Sequence, residues 1–433
     1  MRIKIILICL LGIIGIKSME AQETSLSLEE AIKLALINSD ESKIADTKVN
    51  TAEYEVKVAK SKRYPDLKIA GQYQHLTKVN ADIQFDTGGQ QTGAAEPDIS
   101  SIMFGQATAS VPVFTGFELN NLVKASQNNY EAATLDAKSE KEDIALQTVN
   151  AYVNLYKANK TVSLIEENLK SAQQRVKDFS AMEENGLLAR NDLLKAQLQE
   201  SNIEVSLEEA KKNEKILNYS LVTTLKMPED TKINIEDTNF QLTLGSEIND
   251  SIQRSDLKAL EYRKEAAKNN IKIAQSKYYP DVALMSGYAA FDIKNALTIT
   301  DAMNFGVGVS YNLADIFKAK SDVKVAKSQA EELQHTIDMV QDKIKIQIED
   351  ANQNYNLANR KYDVYIKSEE QAIENYRIVK DKYDNGLVDT NDLLEADIDQ
   401  LQAKINLAYA KADIIQNYYK LLNAQGQINT DIQ

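Results

Sequence analysis

The chain has 433 residues, and its 64 acidic residues outnumber its 50 basic residues, which gives a formal net charge of −14. A chain this acidic is poorly suited as a whole to binding nucleic acid or anionic lipid headgroups, so we expect no nucleic-acid partner. The single cysteine, Cys9, lies near the N-terminus. The rest of the chain therefore has no disulfide framework, no zinc–thiolate site and no cysteine nucleophile.

The N-terminus predicts export. Arg2 and Lys4 precede an apolar stretch at 5–16, and a cleavage site near Ala21 would complete a signal peptide over 1–21. The apolar stretch is too short to be a membrane-spanning helix, and no later stretch is long enough. A membrane crossing would therefore require strands that close into a barrel.

The sequence contains an internal duplication. The segment AKSKRYPD at 59–66 returns as AQSKYYPD at 274–281, and NGLLARNDLL at 185–194 returns as NGLVDTNDLL at 385–394. Such a long duplication indicates one supersecondary unit that is used twice. We divide the exported chain into a first repeat at 22–227, a joining segment at 228–247 and a second repeat at 248–433.

Each repeat is predicted to be mostly helical, because its Ala-, Leu-, Lys-, Glu- and Gln-rich stretches contain few glycines and prolines. In chain order the expected helices are at about 28–37, 37–62, 117–184, 189–226, 249–278, 315–384 and 390–425. Ser27 and Glu30 form a capping box at the first helix. The longest helices, at a rise of 1.5 Å per residue, would extend roughly 100 Å.

A coiled-coil seam is predicted within the third of these helices. Leu146, Val149, Val153 and Tyr156 have the a/d spacing of such a seam, and a second apolar edge runs beside it at Ala145 and Tyr152. The helices alone would favour a plain antiparallel coiled coil.

Four segments of alternating apolar and polar residues interrupt the helices and predict strands. They form two hairpins, at about 65–114 and 280–314, with the second strand of the second hairpin running from Phe305 to Leu313 and polar loops at about 77–98 and 292–303. Four strands cannot close a barrel, and an open sheet edge is not tolerated in lipid. We therefore expect an oligomer, and three copies would supply 12 strands.

Three motifs give the chain a family resemblance. Residues 26–36 (LSLEEAIKLAL), the two Tyr-Pro-Asp steps at 64–66 and 279–281, and VPVFTG at 111–116 occur in the order that is typical of one family. In these motifs and in the duplication, the chain resembles the TolC-type outer-membrane efflux proteins over essentially its whole mature length.

The resemblance implies a homotrimeric outer-membrane duct. It would consist of a 12-stranded transmembrane β-barrel, with four strands from each chain, continued by a long antiparallel α-helical barrel through the periplasm. An inner-membrane pump and a periplasmic adaptor would be its partners in a tripartite efflux or type I secretion system, and outer-membrane lipid would surround it. The resemblance implies no enzymatic activity and no cofactor.

The two Asn-Gly breaks have a structural and a functional interpretation. Each glycine is expected to end a helix in the left-handed conformation, with Asn191 or Thr390 capping the helix that follows. The resemblance adds that the turns form the adaptor-docking tips. The tip candidates are Asn185, Gly186, Leu187, Asn385, Gly386 and Leu387.

The resemblance also indicates a gate at the periplasmic entrance, with Tyr383, Asp392 and Glu395 as candidates. A ring of carboxylates would favour cations, but acidic residues in a first helical turn also complement the helix dipole. Val388 departs from the family pattern, and Lys195 stands in the first repeat where Glu395 stands in the second. An alternative function is a structural periplasmic or surface coiled-coil protein without channel activity. The sequence does not identify the transported substrate.

Overall fold

A computed structural model describes residues 23–77, 100–235, 252–294 and 297–430. The helices in these ranges are α1 (Leu28–Asn38), α2 (Asp40–Ser61), α3 (Glu118–Glu184), α4 (Arg190–Thr224), α5 (Ser255–Ser276), α6 (Leu313–Asp384) and α7 (Thr390–Gln425). The strands are β1 (Glu23–Ser25), β2 (Asp66–His75), β3 (Ser101–Thr115), β4 (Lys232–Asn234), β5 (Asp281–Ile293) and β6 (Leu297–Ser310). The predicted signal peptide and nearly all of the first polar loop lie outside the described residues.

The predicted helices agree with the observed ones to within a few residues, except at the start of α5, and the capping box of α1 is confirmed. Glu30 accepts a hydrogen bond from the Ser27 backbone N–H (3.0 Å), and Ser27 Oγ accepts one from the Glu30 backbone N–H (3.2 Å). The Ser27 hydroxyl also donates to the Glu30 carboxylate (2.9 Å), and the bonds from the Ser27 backbone and side chain to this carboxylate lower the pKa of Glu30. No helix in the described ranges combines the length and the apolar character that a membrane span needs.

Two predictions about the second hairpin are wrong. The expected polar loop at 292–303 is largely strand, because β5 continues to Ile293, and β6 starts at Leu297, which pairs with it. The second strand was expected to reach Leu313, but β6 ends at Ser310 and Leu313 begins α6. Asn312 causes this change, since its side-chain oxygen accepts a hydrogen bond from the Ala314 backbone N–H (3.1 Å) and starts the helix.

The chain divides into two compact units, one of which contains the larger sheet. This unit comprises Lys48–Leu135 and Leu257–Val340. Its four antiparallel strands lie in the order β2-β3-β5-β6, so β2 and β6 form the edges. In the middle of the sheet Ile69 pairs with Ala107, which pairs with Tyr288, which pairs with Met303. In this sheet β2 pairs with β3 and β5 pairs with β6, each pair antiparallel.

The two faces of this sheet differ in polarity. One face, which we call the apolar sheet face, presents exposed apolar side chains; these are Leu67, Ile69, Tyr73, Met103, Leu284, Met303, Phe305, Val307 and Val309. Ile69 and Phe305 are 91% and 90% exposed. The opposite face carries Lys68, Gln72 and Gln106, and one aromatic pair, Phe104 and Phe291, lies beside Gln72. An exposed apolar surface of this size indicates a partner or a lipid environment.

The second unit, formed by the described parts of Met1–Thr47, Asp136–Asp256 and Gln341–Gln433, contains the main hydrophobic core. Tyr152, Tyr156, Val149 and Val153 of α3 are fully or almost fully buried there, so the predicted seam is confirmed. They pack with residues of α1, the end of α4, and β4, which pairs in parallel with β1. The hydroxyl of Tyr152 donates a hydrogen bond to the Leu26 carbonyl (2.6 Å), which fixes the N-terminal segment to α3.

A buried carboxyl group lies near this core. Glu142 of α3 is only 3% exposed, and its Oε1 atom has no hydrogen-bond partner among the residues that the structure describes. Burial raises the pKa of Glu142 to about 7, although Lys138 and Arg254 act in the opposite direction. Asp143 and Asp256 face the same region and raise the pKa further. The folded state therefore holds a proton on Glu142 at mildly acidic pH.

This buried group makes stability depend on pH. The folded pKa lies above the unfolded value, so the stabilisation is complete below about pH 4.5 and is lost as the pH rises through about 7. We expect Glu142→Gln to raise the free energy of unfolding at pH 8 by about 2–3 kcal/mol and to change it little at pH 5. Guanidinium unfolding in detergent at the two pH values measures this. Glu204→Gln, at an exposed position of α4, is the matched control, and equal effects of both substitutions at pH 8 would contradict the prediction.

Candidate functional site

The two Asn-Gly turns end long helices by the same geometry. Gly186 and Gly386 have φ values of +73° and +72°, which glycine adopts without steric cost. The backbone N–H of Leu187 donates to the Met182 carbonyl (2.8 Å), and that of Leu387 donates to the Lys382 carbonyl (2.9 Å). These bonds satisfy the last carbonyl groups of α3 and α6. The predicted role of both glycines as helix ends is confirmed.

The turns expose one leucine each. Leu187 and Leu387 are 74% and 73% exposed. The side chains of Asn185 and Asn385, in contrast, point back to the helices that precede them. Their amides donate to the carbonyls of Ala181 (2.6 Å) and Asp381 (2.7 Å). Helix termination therefore accounts for the asparagines and glycines but leaves the exposed leucines without a structural role in this chain.

The predicted caps of the following helices are wrong. Neither Asn191 nor Thr390 is an N-cap: α4 follows Ala189, which has no side-chain cap, and α7 follows Asp389. Asp389 has the extended backbone that a cap requires, and its carboxylate accepts hydrogen bonds from the Asn391 (2.8 Å) and Asp392 (3.2 Å) backbone N–H groups. Thr390 is instead buried.

The three gate candidates occupy different environments. Asp392 completes the capping box of α7 by accepting a hydrogen bond from the Asp389 backbone N–H (3.4 Å), whereas Glu395 is exposed. The ring of Tyr383 stacks on Phe179 with centroids 5.7 Å apart, and its hydroxyl lies 3.4 Å from the Thr390 hydroxyl. Within the described residues no hydrogen bond joins Tyr383 to either acid. Lys195 pairs with Asp192 at 3.4 Å.

An apolar cluster packs the ends of both helical hairpins together. We call it the turn cluster; its buried members are Phe179 of α3, Leu193 and Ala196 of α4, and Leu393 of α7. Tyr376, Val379 and Tyr383 of α6 pack against it. All four helices therefore contribute to one small core beside the turns.

Beside the turn cluster lies a buried polar network that the sequence did not reveal. Arg175 of α3 forms an ion pair with Asp397 of α7 at 3.1 Å, and the two side chains are 9% and 4% exposed. Asn168 also donates to Asp397 (3.3 Å), and Arg175 donates to the Tyr376 hydroxyl of α6 (3.4 Å). We call these four residues the buried network. It joins α3 to both helices of the second hairpin.

The buried network depends on the charges of Arg175 and Asp397, which stabilise it only while both are in place. Burial disfavours the charge on Arg175, but Asp397 outweighs it, so the pKa of the guanidinium is raised. Taking two charges out of water costs several kcal/mol per ion, and the attraction between them recovers this cost only while both partners remain in place. Separating α3 from α7 would leave a bare buried charge unless water entered.

The buried network belongs to a longer row of polar contacts between α3 and α7, which we call the polar seam. The α3 members fall into two sets at seven-residue spacing: Asp143, Asn150 and Lys157, then Thr161, Asn168 and Arg175. Their α7 partners are Asn423, Gln416, Asp413, Tyr409 and Asp397. The seven-residue spacing of the α3 members is visible in the sequence, and it places them beside the apolar a/d row of Leu146, Val149, Val153 and Tyr156 rather than within it.

The described residues contain no group of three or more His, Cys, Asp or Glu side chains that could hold a metal ion. The site consists of two turns with exposed leucines, a small apolar core that joins the two helical hairpins, and one buried ion pair between them.

Comparisons with known proteins give one consistent result. The family model described as "Outer membrane efflux protein" matches residues 31–225 and 250–427. The chain is 23% identical over 326 residues to the outer membrane efflux protein BepC of Brucella suis biovar 1 (strain 1330), covering 74% of this chain and 71% of that protein. It is 22% identical over 409 residues to toxin and drug export protein A of Aggregatibacter actinomycetemcomitans, covering 90% and 84%.

Solved structures show the same fold. The CmeC outer membrane channel of Campylobacter jejuni matches with a TM-score of 0.78 at 16% identity, covering 96% of this chain and 92% of that chain. The outer membrane protein VceC of Vibrio cholerae matches with a TM-score of 0.76 at 18% identity, covering 92% and 96%. At these identities the likeness concerns the fold alone.

The buried network leads to a stability prediction. We expect Arg175→Met to destabilise the hairpin ends by about 3 kcal/mol, because it leaves the Asp397 carboxylate buried without its partner. Asp397→Leu should have a similar effect, and the double variant should lose less than the sum of the two. Hydrogen exchange of the α3 and α7 backbone beside the turns measures the loss. Lys345→Met, which removes an exposed ion pair with Asp342, is the control. Additive losses would contradict direct coupling.

Proposed function

This chain belongs to the outer membrane efflux protein family, whose members are non-enzymatic transport conduits of the outer membrane, and from this premise we propose that three copies form one exit duct. The duct would serve a tripartite efflux or type I secretion system and conduct substrates passively to the outside. The observation that carries the proposal is the four-stranded sheet with an exposed apolar face and two free edges.

The sheet edges argue for an oligomer. β2 and β6 pair on one side only within the described chain, and unpaired backbone groups are too costly in lipid to persist. Joining β6 of one copy to β2 of the next would satisfy both edges. We propose that the repeats at 22–227 and 248–433 contribute two strands each, so that three copies close a barrel of 12 strands around a lumen.

The alternative function, a structural coiled-coil protein without channel activity, does not explain the four-stranded sheet. Its apolar face would be exposed to water over all four strands, which soluble proteins avoid. The polar face, with Lys68, Gln72 and Gln106, would be at the wall of a water-filled lumen in the duct. The family membership and the polarity of the sheet both favour the duct.

We propose that the hairpin ends form the entrance gate of the duct. Tyr383 would hold α6 against α3 through its stacking on Phe179, and the buried network would lock α7 in the same closed position. Asp392 and Glu395 would place negative charge at the constriction, where a ring of carboxylates favours cations. Support for the gate comes from the small area of the turn cluster and from the polar seam, which can rehydrate when the helices part.

Planar-bilayer recordings test the duct and the gate together. We expect the purified protein to form ion-conducting channels and Asp392→Ala with Glu395→Ala to weaken the preference for cations, because two carboxylates per copy leave the entrance. Asp384→Ala, which removes an exposed acid that caps no helix, is the control. Absence of conductance in repeated reconstitutions would contradict the duct. Unchanged selectivity in the double variant would show that the two acids serve only the helix terminus.

The exposed turn leucines fit a docking role. We propose that Asn185, Gly186, Leu187, Asn385, Gly386 and Leu387 form the tips on which a periplasmic adaptor docks, itself attached to an inner-membrane pump. The asparagines and glycines would fix the turn, and the leucines would supply the apolar contact. Exposed leucines that the fold does not need are the observation that favours this role.

The docking role predicts the effect of changing only the leucines. We expect Leu187→Asp with Leu387→Asp to abolish co-purification with the periplasmic adaptors of the source bacterium, because a charge replaces each apolar contact. Leu187→Met with Leu387→Met, which keeps the apolar surface, should retain binding. Equal adaptor binding by the aspartate and methionine variants would contradict the docking role. Channel conductance of the same variants tests the duct separately.

A further inference from the structure

An open pocket lies at the end of the sheet where the helices begin. It encloses about 610 Å³, within the range of roughly 300–1,000 Å³ that is usual for ligand pockets. The first turns of α3 and the last turns of α5 line it, with Phe117, Asn120, Lys124, Lys272, Gln275 and Tyr279 among the lining residues. All of these residues belong to the unit that contains the sheet.

The backbone fixes the shape of this pocket. Gly116 has a φ of +58°, and a Cβ atom there would clash with the carbonyl oxygen of Ser276 at the end of α5. This glycine therefore allows the start of α3 to pack closely against α5. Phe117 also has a positive φ, +67°, which is a strained conformation for an aromatic residue. The strain places its ring beside the pocket rather than along the helix.

One wall of the pocket is a cluster of aromatic rings. Phe114, Phe117 and Tyr279 contact one another edge to face, with centroids 5.2, 6.2 and 6.4 Å apart. Phe117 and Tyr279 are 56% and 50% exposed. Phe114 pairs with Val282, which pairs with Val309, so the cluster continues the apolar sheet face at its helical end. Rings at the rim of a lipid-facing apolar band are typical of the headgroup level.

The opposite side of the pocket is cationic. Lys124 and Lys272 are exposed, and within the described residues neither forms an ion pair with a carboxylate. The nearby Asp322 is already paired with Lys277 at 2.8 Å. Arg63 adds a third cation, since it donates a hydrogen bond to Asn120 (2.9 Å). Glu118, which follows Phe117 at the start of α3, is an acid beside the pocket, and its carboxylate accepts a hydrogen bond from the Ser276 hydroxyl (3.5 Å). The pocket therefore combines three cations and one neighbouring acid with amide groups and an exposed aromatic wall.

We propose that this pocket binds the phosphate-bearing headgroup of a membrane phospholipid; the inference rests on the proposed placement of the sheet in the outer membrane. The two lysines would pair with the phosphate, and Asn120 and Gln275 would bond to its oxygens or to the glycerol. The rings would contact the glycerol and the first acyl carbons. An isolated phosphate would use the cations but would leave the aromatic wall uncovered, so the chemistry favours the lipid.

This site corrects an expectation from composition. A net charge of −14 argued against anionic lipid headgroups, but the negative charge is spread along the whole chain. At the rim of the apolar face the local charge is positive. A headgroup there lies within a Debye length, about 8–10 Å, of the pocket cations, so the local charge decides the interaction.

Lipid binding by the purified full chain in detergent tests the proposal. Phosphatidylglycerol is titrated in, and bound lipid is counted by native mass spectrometry. We expect Lys124→Gln with Lys272→Gln to weaken the tightest binding about tenfold or more. Each lysine near an anionic headgroup strengthens binding by roughly fivefold, and the double variant loses two of them. Lys324→Gln with Lys327→Gln removes the same charge from exposed positions of α6 and should leave binding unchanged.

The possible outcomes separate the proposal from its premise. Equal lipid binding by the pocket variant and the control variant would overturn the site. If inorganic phosphate displaces bound phosphatidylglycerol as effectively as added phospholipid does, the aromatic wall has no role in binding. The pocket would then be an anion site and not a lipid site. Because the binding is measured in detergent without reference to current, a protein that binds lipid through Lys124 and Lys272 but conducts no ions would contradict the duct alone.

Discussion

The four-stranded sheet leaves the backbone groups of its two edge strands unpaired within the described part of the chain. β2 and β6 each have a row of N–H and C=O groups that pair with nothing in the described part of the chain. In water such an edge is a liability, and in lipid every unsatisfied group costs several kcal/mol. The apolar sheet face and the unpaired edges are the two observations that support the proposed trimer.

The proposed gate sets the opposite requirement for the helices, because a gate must be able to open. A purely apolar contact between α3 and α7 would be hard to separate because the exposed surface would lack any affinity for water. The polar seam replaces much of that contact with groups that water can solvate. The Arg175–Asp397 pair differs from the rest, since both of its side chains are nearly buried. The proposed closed arrangement would thus depend on the buried Arg175–Asp397 pair, because water can readily solvate the rest of the polar seam between α3 and α7.

Much of the fold could be predicted because its signals are local. Glycine and proline mark most helix ends, the Ser27–Glu30 box marks a helix start, and period-2 alternation marks the strands. The errors have local causes too: 292–303 is polar enough to suggest a loop although most of it belongs to the paired strands β5 and β6, and Asp389 is a better cap than Thr390 beside it. The buried network and the aromatic pocket could not be predicted in the same way. Arg175 and Asp397 are 222 positions apart, and their partnership depends on which helices pack together.

Disulfide trapping across the sheet edges tests the central claim most directly, because Cys9 is the only cysteine and lies in the predicted signal peptide. A cysteine at Asn304 of β6 would be combined with single cysteines at successive positions of β2 from Ile69 to Gln72. After oxidation in intact outer membranes, non-reducing gels would show the products. We expect covalent dimers and trimers for at least one β2 position and for none of the single-cysteine controls. Monomers at every position, from a protein that is correctly inserted, would contradict closure of the sheet by three copies.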